Sequence, residues 1–187
     1  MQDAVDATTT QESSLTRRGA LGLAAAAGAV GSTVLAAPAA VAEGATAGVR
    51  KATPMPTITL ALADLITKKA VGYVRRNSLP PMFVVVVDSC GDEKASARMD
   101  GNGTASTVLV PVKARTAAAF KSSTADLAAR VTAPAAIASF TTAGFSLLGG
   151  GVPVVVDGNV IGAVGVGGGS PDQDDQVARA AVAAALA

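Results

Sequence analysis

Val152-Pro-Val-Val-Val156, Asp157-Gly-Asn159 and Val160-Ile-Gly-Ala-Val-Gly-Val166 read as two apolar strands folded back on each other about a tight Asp-Gly-Asn turn. Gly162, Gly165 and Gly167 weaken a strand intrinsically, so their presence implies close approach of another backbone or of a ligand. Directly after this hairpin, Ser170 is placed to cap a helix with Pro171 at its first position, and Asp172, Asp174 and Asp175 sit near the positive end of its dipole. That helix is predicted to run to about Leu186.

The same grammar recurs upstream. Apolar residues from Leu60 to Asn77 return at three- and four-residue steps (Leu62, Leu65, Ile66, Ala70, Tyr73), with Lys68, Lys69, Arg75 and Arg76 opposite, which predicts an amphipathic helix. Pro80-Pro81 stop it, and Met82 to Val87 is a β-branched run that reads as a buried strand. Asp88-Ser-Cys-Gly-Asp92 has turn chemistry, and Glu93 to Met99 follows as an antiparallel partner. A helix is expected from about Val112, with Pro111 in its first turn, then short helices from Ser123 to Arg130 and from Pro134 to Thr142. Helix, hairpin, helices, hairpin, helix is an α+β order: a small antiparallel sheet covered by helices, in a single domain.

Composition narrows the chemistry. The 187 residues include no histidine, which removes imidazole bases, His-ligated zinc and His-ligated haem iron together. One cysteine, Cys90, makes no internal disulfide. Fifteen Lys+Arg against fourteen Asp+Glu supply no concentrated positive field, so nucleic acid is not an expected partner.

The amino terminus has a targeting layout. Thr16-Arg17-Arg18 precedes 24 uncharged residues, Gly19 to Ala42, that are mostly Ala and Gly. Twin arginines, a mildly apolar stretch and the small residues Ala40-Val41-Ala42 read as a twin-arginine export signal cleaved after Ala42, with a retained anchor as the rival reading. Residues 43–57, with Gly44, Gly48, Pro54 and Pro56, read as a flexible tether before a domain at 58–187. A secreted location is therefore expected.

Four blocks carry a resemblance: Ala97-Arg98-Met99-Asp100-Gly101, Lys113-Ala-Arg-Thr-Ala-Ala-Ala-Phe120, Gly149-Gly-Gly-Val-Pro153, and the run from Asp157 through Gly167-Gly-Gly-Ser-Pro-Asp-Gln-Asp174. In these, residues 58–187 resemble the GlcG-like, HbpS-like haem-binding family. The resemblance implies a profilin-like α+β fold, homo-oligomers from dimer to octamer and, in exported members, haem capture or sensing with a membrane sensor as possible partner. The surface Glu-x-x-Glu iron motif of some exported relatives is absent, since the only glutamates are Glu12, Glu43 and Glu93, and iron storage is not implied.

On a helix Lys113, Thr116 and Phe120 share one face. Read with the resemblance, they form a wall of a haem slot: Thr116 near iron, Lys113 toward a propionate, Phe120 against the ring. The plainer reading is a packed helix whose lysine reaches water along its own stem. Arg98 and Met99 offer a propionate partner and a soft iron ligand, although neighbouring strand residues face opposite ways; otherwise Met99 is core and Arg98 pairs with a neighbour such as Asp100. Cys90 is a possible thiolate ligand or an inert turn thiol. An enzyme of the same family would need Asp88, Asp100 or Lys113 as its acid or base. A ligand-free assembly protein is the remaining alternative.

Overall fold

Thr59 starts the first helix, its hydroxyl accepting a hydrogen bond from the Leu62 amide at 3.3 Å. The structure, a computed structural model, describes residues 54–187. The export segment expected at 1–42 and the tether as far as residue 53 lie outside the described residues; Pro54 to Thr57 are irregular and exposed. Ile58 is buried, and its amide donates to the Ile161 carbonyl at 2.7 Å, fixing the start of the fold to the sheet.

The elements are α1 (Leu60–Arg76), β1 (Phe83–Asp88), β2 (Glu93–Arg98), α2 (Ala105–Phe120), α3 (Thr124–Arg130), α4 (Pro134–Thr142), β3 (Gly151–Val156), β4 (Asn159–Gly167) and α5 (Pro171–Leu186). The sheet order is β2-β1-β4-β3, every neighbouring pair antiparallel. Val84 and Val86 of β1 join the core made with α1 and α5, whereas Val85 and Val87 join a second core under α2. With both faces covered, β1 is continuously apolar instead of alternating. Edge strand β2 does alternate: Ala95 packs toward the α1 core and Lys94, Ser96 and Arg98 are exposed.

One expected boundary is corrected. The second helix starts at Ala105, not near Val112, and carries Pro111 in its interior. Ser106, Val110, Lys113, Ala114 and Ala117 form one buried face running through the proline, so attachment to the sheet holds both halves in line despite the lost N–H. The close approach implied by the glycines is real at Gly165, where a Cβ would overlap the Val110 carbonyl and stand 3.0 Å from the Ala114 Cβ. The last helix has its expected cap: the Ser170 hydroxyl accepts from the Gln173 amide, and the Gln173 side chain accepts from the Ser170 amide.

Candidate functional site

Helix α2 turns Lys113 onto the sheet, where the lysine meets the start of α5. Its Nζ donates to Asp174 Oδ2 at 2.8 Å and to the Val166 carbonyl at 3.0 Å, with the Lys113 and Asp174 side chains only 5% and 4% exposed. Asp174 Oδ1 accepts from the Gly169 amide at 2.9 Å. Asp174 is thus more than a dipole partner; it neutralises a buried ammonium 61 residues away in sequence. Asp175 binds Arg179 at 2.6 Å, and that hydrogen bond raises the arginine's pKa further. Arg179 also reaches the Ser123 hydroxyl at 2.8 Å.

Thr116 is fully buried. Its hydroxyl donates to the Val112 carbonyl at 2.7 Å and accepts from the Ser146 amide at 3.0 Å, tying the segment before β3 to α2. The slot wall expected from Lys113, Thr116 and Phe120 is therefore corrected: the first two are buried and hydrogen-bonded internally, and Phe120 alone is exposed. The reason is helical phase, since Lys113 and Thr116 fall with Val110, Ala114 and Ala117 on the sheet-facing side. Phe120 lies 4.7 Å from the Phe140 ring and 4.9 Å from that of Phe145, centroid to centroid.

The outer side of α2 is apolar and open. Val108 is 68% exposed, Leu109 and Leu148 are also exposed, and Val112 is half-buried. At the helix's other end Arg115, Ala119, Phe145 and Cys90 line a cavity of ≈ 320 Å³. Arg115 Nε donates to the Gly91 carbonyl at 3.3 Å, holding the guanidinium at the rim. Sequence reasoning passed over Arg115, Phe145 and Leu148. The available signal was Arg115 as a lone charge on the outer phase of an Ala- and Val-rich helix.

Arg98 and Met99 belong elsewhere. With Val71 and Arg75 of α1 they line a cleft of ≈ 280 Å³ on the opposite side of the sheet from α2. Met99 packs against the α1 core, and Arg98 donates to the Asn102 carbonyl at 2.7 Å rather than pairing with Asp100. The two expected ligand groups, one on α2 and one at the end of β2, are not brought together.

Asp88 closes the β1–β2 turn, accepting from the Cys90 and Asp92 amides at 2.9 and 3.1 Å, with Lys94 at 3.7 Å. Burial works to raise its pKa, but those hydrogen bonds and Lys94 prevail, and the carboxyl lies below its ordinary value of 3.8. It is a turn-holding carboxylate. Cys90 is exposed. Among the described residues no three His, Cys, Asp or Glu side chains group to hold a metal ion.

Residues 58–183 match the family model described as "Haem degrading protein HbpS-like". The chain belongs to the HbpS-like family. HbpS itself superposes with a TM-score of 0.66 at 32% identity, covering 72% of this chain and 94% of the other. A structure described as a PduOC:Heme complex gives 0.62 at 32% identity, covering 68% and 94%. Klebsiella pneumoniae protein ORFY gives 0.68 at 28%, covering 74% and 97%. Among curated sequences, the corrinoid adenosyltransferase PduO of Citrobacter freundii is 32% identical over 149 residues, 77% of this chain. The chain spans 44% of that relative, less than half its length. The four-stranded antiparallel sheet with helices on both faces is thus the HbpS-like fold, in one domain, as the sequence implied.

Proposed function

We propose that the protein is an exported haem-binding module that captures or senses haem with weak, exchangeable iron coordination. The observation that carries this reading is the family match over residues 58–183, supported by the likeness to a relative crystallised with heme. Porphyrin requires an apolar face, cations for its propionates and an axial ligand. The described residues meet the first two requirements: Val108, Leu109, Val112 and Leu148 with the Phe120, Phe140 and Phe145 rings form the face, and Arg115 beside Phe145 is the cation. They meet the third poorly. No histidine exists, Met99 faces another core, and the Thr116 hydroxyl must release the Ser146 amide before it can touch a metal. That leaves the exposed turn thiol of Cys90, in the Arg115 cavity, as the one soft donor at hand among the described residues. Shape and charge therefore hold the group, and its iron stays exchangeable. Bound haem supplies redox-active iron, which suits a sensor.

Twin arginines at 17 and 18 ahead of an uncharged stretch support export and a secreted location. A homo-oligomer is proposed because α4 buries none of its own residues, while Ile137 and Val108 remain exposed. A membrane-bound sensor is proposed as the partner that reads the loaded state. Titration with haemin tests the reading: a saturable Soret change at micromolar concentration is expected, and its absence overturns haem binding.

A further inference from the structure

The Lys113–Asp174 pair adjoins one end of that apolar face, at Leu109 and Leu148, and the cleft there points to a use of its own. Exchanging a buried ion pair for apolar residues of similar volume is often neutral or stabilising, so a core otherwise built from Val and Ala gains little stability from it. The pair borders a cleft of ≈ 280 Å³ between the starts of α2 and α5. Leu109 and Leu148 are its apolar walls, Ser106 and Lys113 its polar ones, and the Gly167–Gly169 backbone its edge.

The ammonium carries three N–H donors, and the described residues claim two of them, through Asp174 and Val166. Glycines let the backbone close tightly round the pair, since a Cβ at Gly150 would stand 2.6 Å from the Val166 carbonyl and 2.8 Å from the Asp174 Cβ, and the side of Lys113 left open is the one that lines the cleft. Asp174 lines the cleft and Asp172 shares its helical turn, two carboxylates that disfavour an anion, so a neutral ligand with an acceptor oxygen and an apolar body fits best.

We infer that this cleft takes a small neutral aldehyde or ketone and that Lys113 captures it as a Schiff base, Asp174 carrying the proton. The Lys113 ammonium passes a proton to the Asp174 carboxylate, and the freed Nζ lone pair attacks the carbonyl carbon, whose π electrons move to oxygen. A proton then moves from that nitrogen to the alkoxide, and the neutral carbinolamine takes the Asp174 proton on its hydroxyl and loses water as the nitrogen lone pair closes the iminium N=C bond. Ammonium plus carbonyl becomes iminium plus water with no redox change. The iminium replaces the ammonium against the same carboxylate, so the buried charge balance is preserved.

The test uses the haem-free full chain with butanal and cyanoborohydride, which reduces any iminium to a stable secondary amine, followed by peptide mass analysis of every lysine. Labelling at Lys113 is expected to saturate with butanal and to run about tenfold faster than at the exposed Lys68, Lys94 and Lys121. Leu148→Trp, which fills the cleft without touching the pair, should slow Lys113 about tenfold and leave the other lysines unchanged. Labelling of Lys113 no faster than the exposed lysines overturns the inference. Equal labelling of Lys113 in Leu148→Trp also overturns it, because reaction then proceeds by opening of the fold and not through the cleft. Haemin titration of the same preparation reads haem binding separately, so failure of one reading leaves the other standing.

Discussion

Replacing Asp174 with Asn leaves the Lys113 ammonium buried without its counter-charge, and this is the most costly single change the structure identifies. Both side chains are nearly inaccessible and 2.8 Å apart, and without Asp174 the ammonium keeps only the Val166 carbonyl as a partner among the described residues. Breaking a buried pair on one side costs about 3–5 kcal/mol, a large part of a domain stability of about 5–15 kcal/mol. The Gly169 amide still finds the Asn carbonyl oxygen, which places Asp174→Asn at the lower end of that range. Lys113→Met orphans the carboxylate instead and should cost a similar amount. The double variant Lys113→Met/Asp174→Asn should recover much of the loss, since neither charge is left behind. Urea denaturation of the four proteins gives the coupling energy directly. For a domain of this size, each single variant should lower Tm by about 10 °C or more. A loss below about 1 kcal/mol in Asp174→Asn, or strictly additive effects in the double variant, would refute the buried-pair argument.

Other expectations follow from separate parts of the fold. Thr116→Val removes the acceptor of the Ser146 amide and should cost about 1–3 kcal/mol, while the absorption spectrum of the haem complex stays as in the parent; an altered spectrum would place Thr116 on the iron. Gly165→Ala drives a methyl into the Val110 carbonyl and should destabilise by about 1–3 kcal/mol in thermal melts. Asp88 has a lowered folded pKa, so its contribution is present above the ordinary value of 3.8 and is lost as pH falls through the folded value. The Tm gap between the parent and Asp88→Asn should therefore be widest near neutrality and close in acid; a gap that widens in acid would reverse the sign.

The fold was legible where the signal is local. The β-branched run of β1, the Asp157-Gly-Asn turn and the Ser170 cap each state their element within a few residues, and the family blocks join them into one topology. Pro111 misled because a proline's local preference for a first turn yielded to the buried face that continues on either side of it. The site was less legible because its decisive contact is remote. Nothing near Lys113 names Asp174 as its partner; only its phase, with Val110, Ala114 and Ala117, places a charge on the buried side and so demands one. Thr116 carried the same phase and shared the same fate. Arg98 and Met99 line one cleft beside α1, and that position on the α1 side of the sheet depends on strand order, which no local pattern encodes.

The central claim is that porphyrin is held by an apolar face and a guanidinium, with little help from its metal. Iron-free protoporphyrin IX tests it against haemin under matched conditions, porphyrin fluorescence reporting one affinity and Soret absorbance the other. The account predicts Kd values within about tenfold, or about 1.4 kcal/mol, of each other, and weaker binding of both by Arg115→Glu. Haemin bound more than about a hundredfold tighter than the metal-free ring would contradict it, for the iron would then be the main anchor.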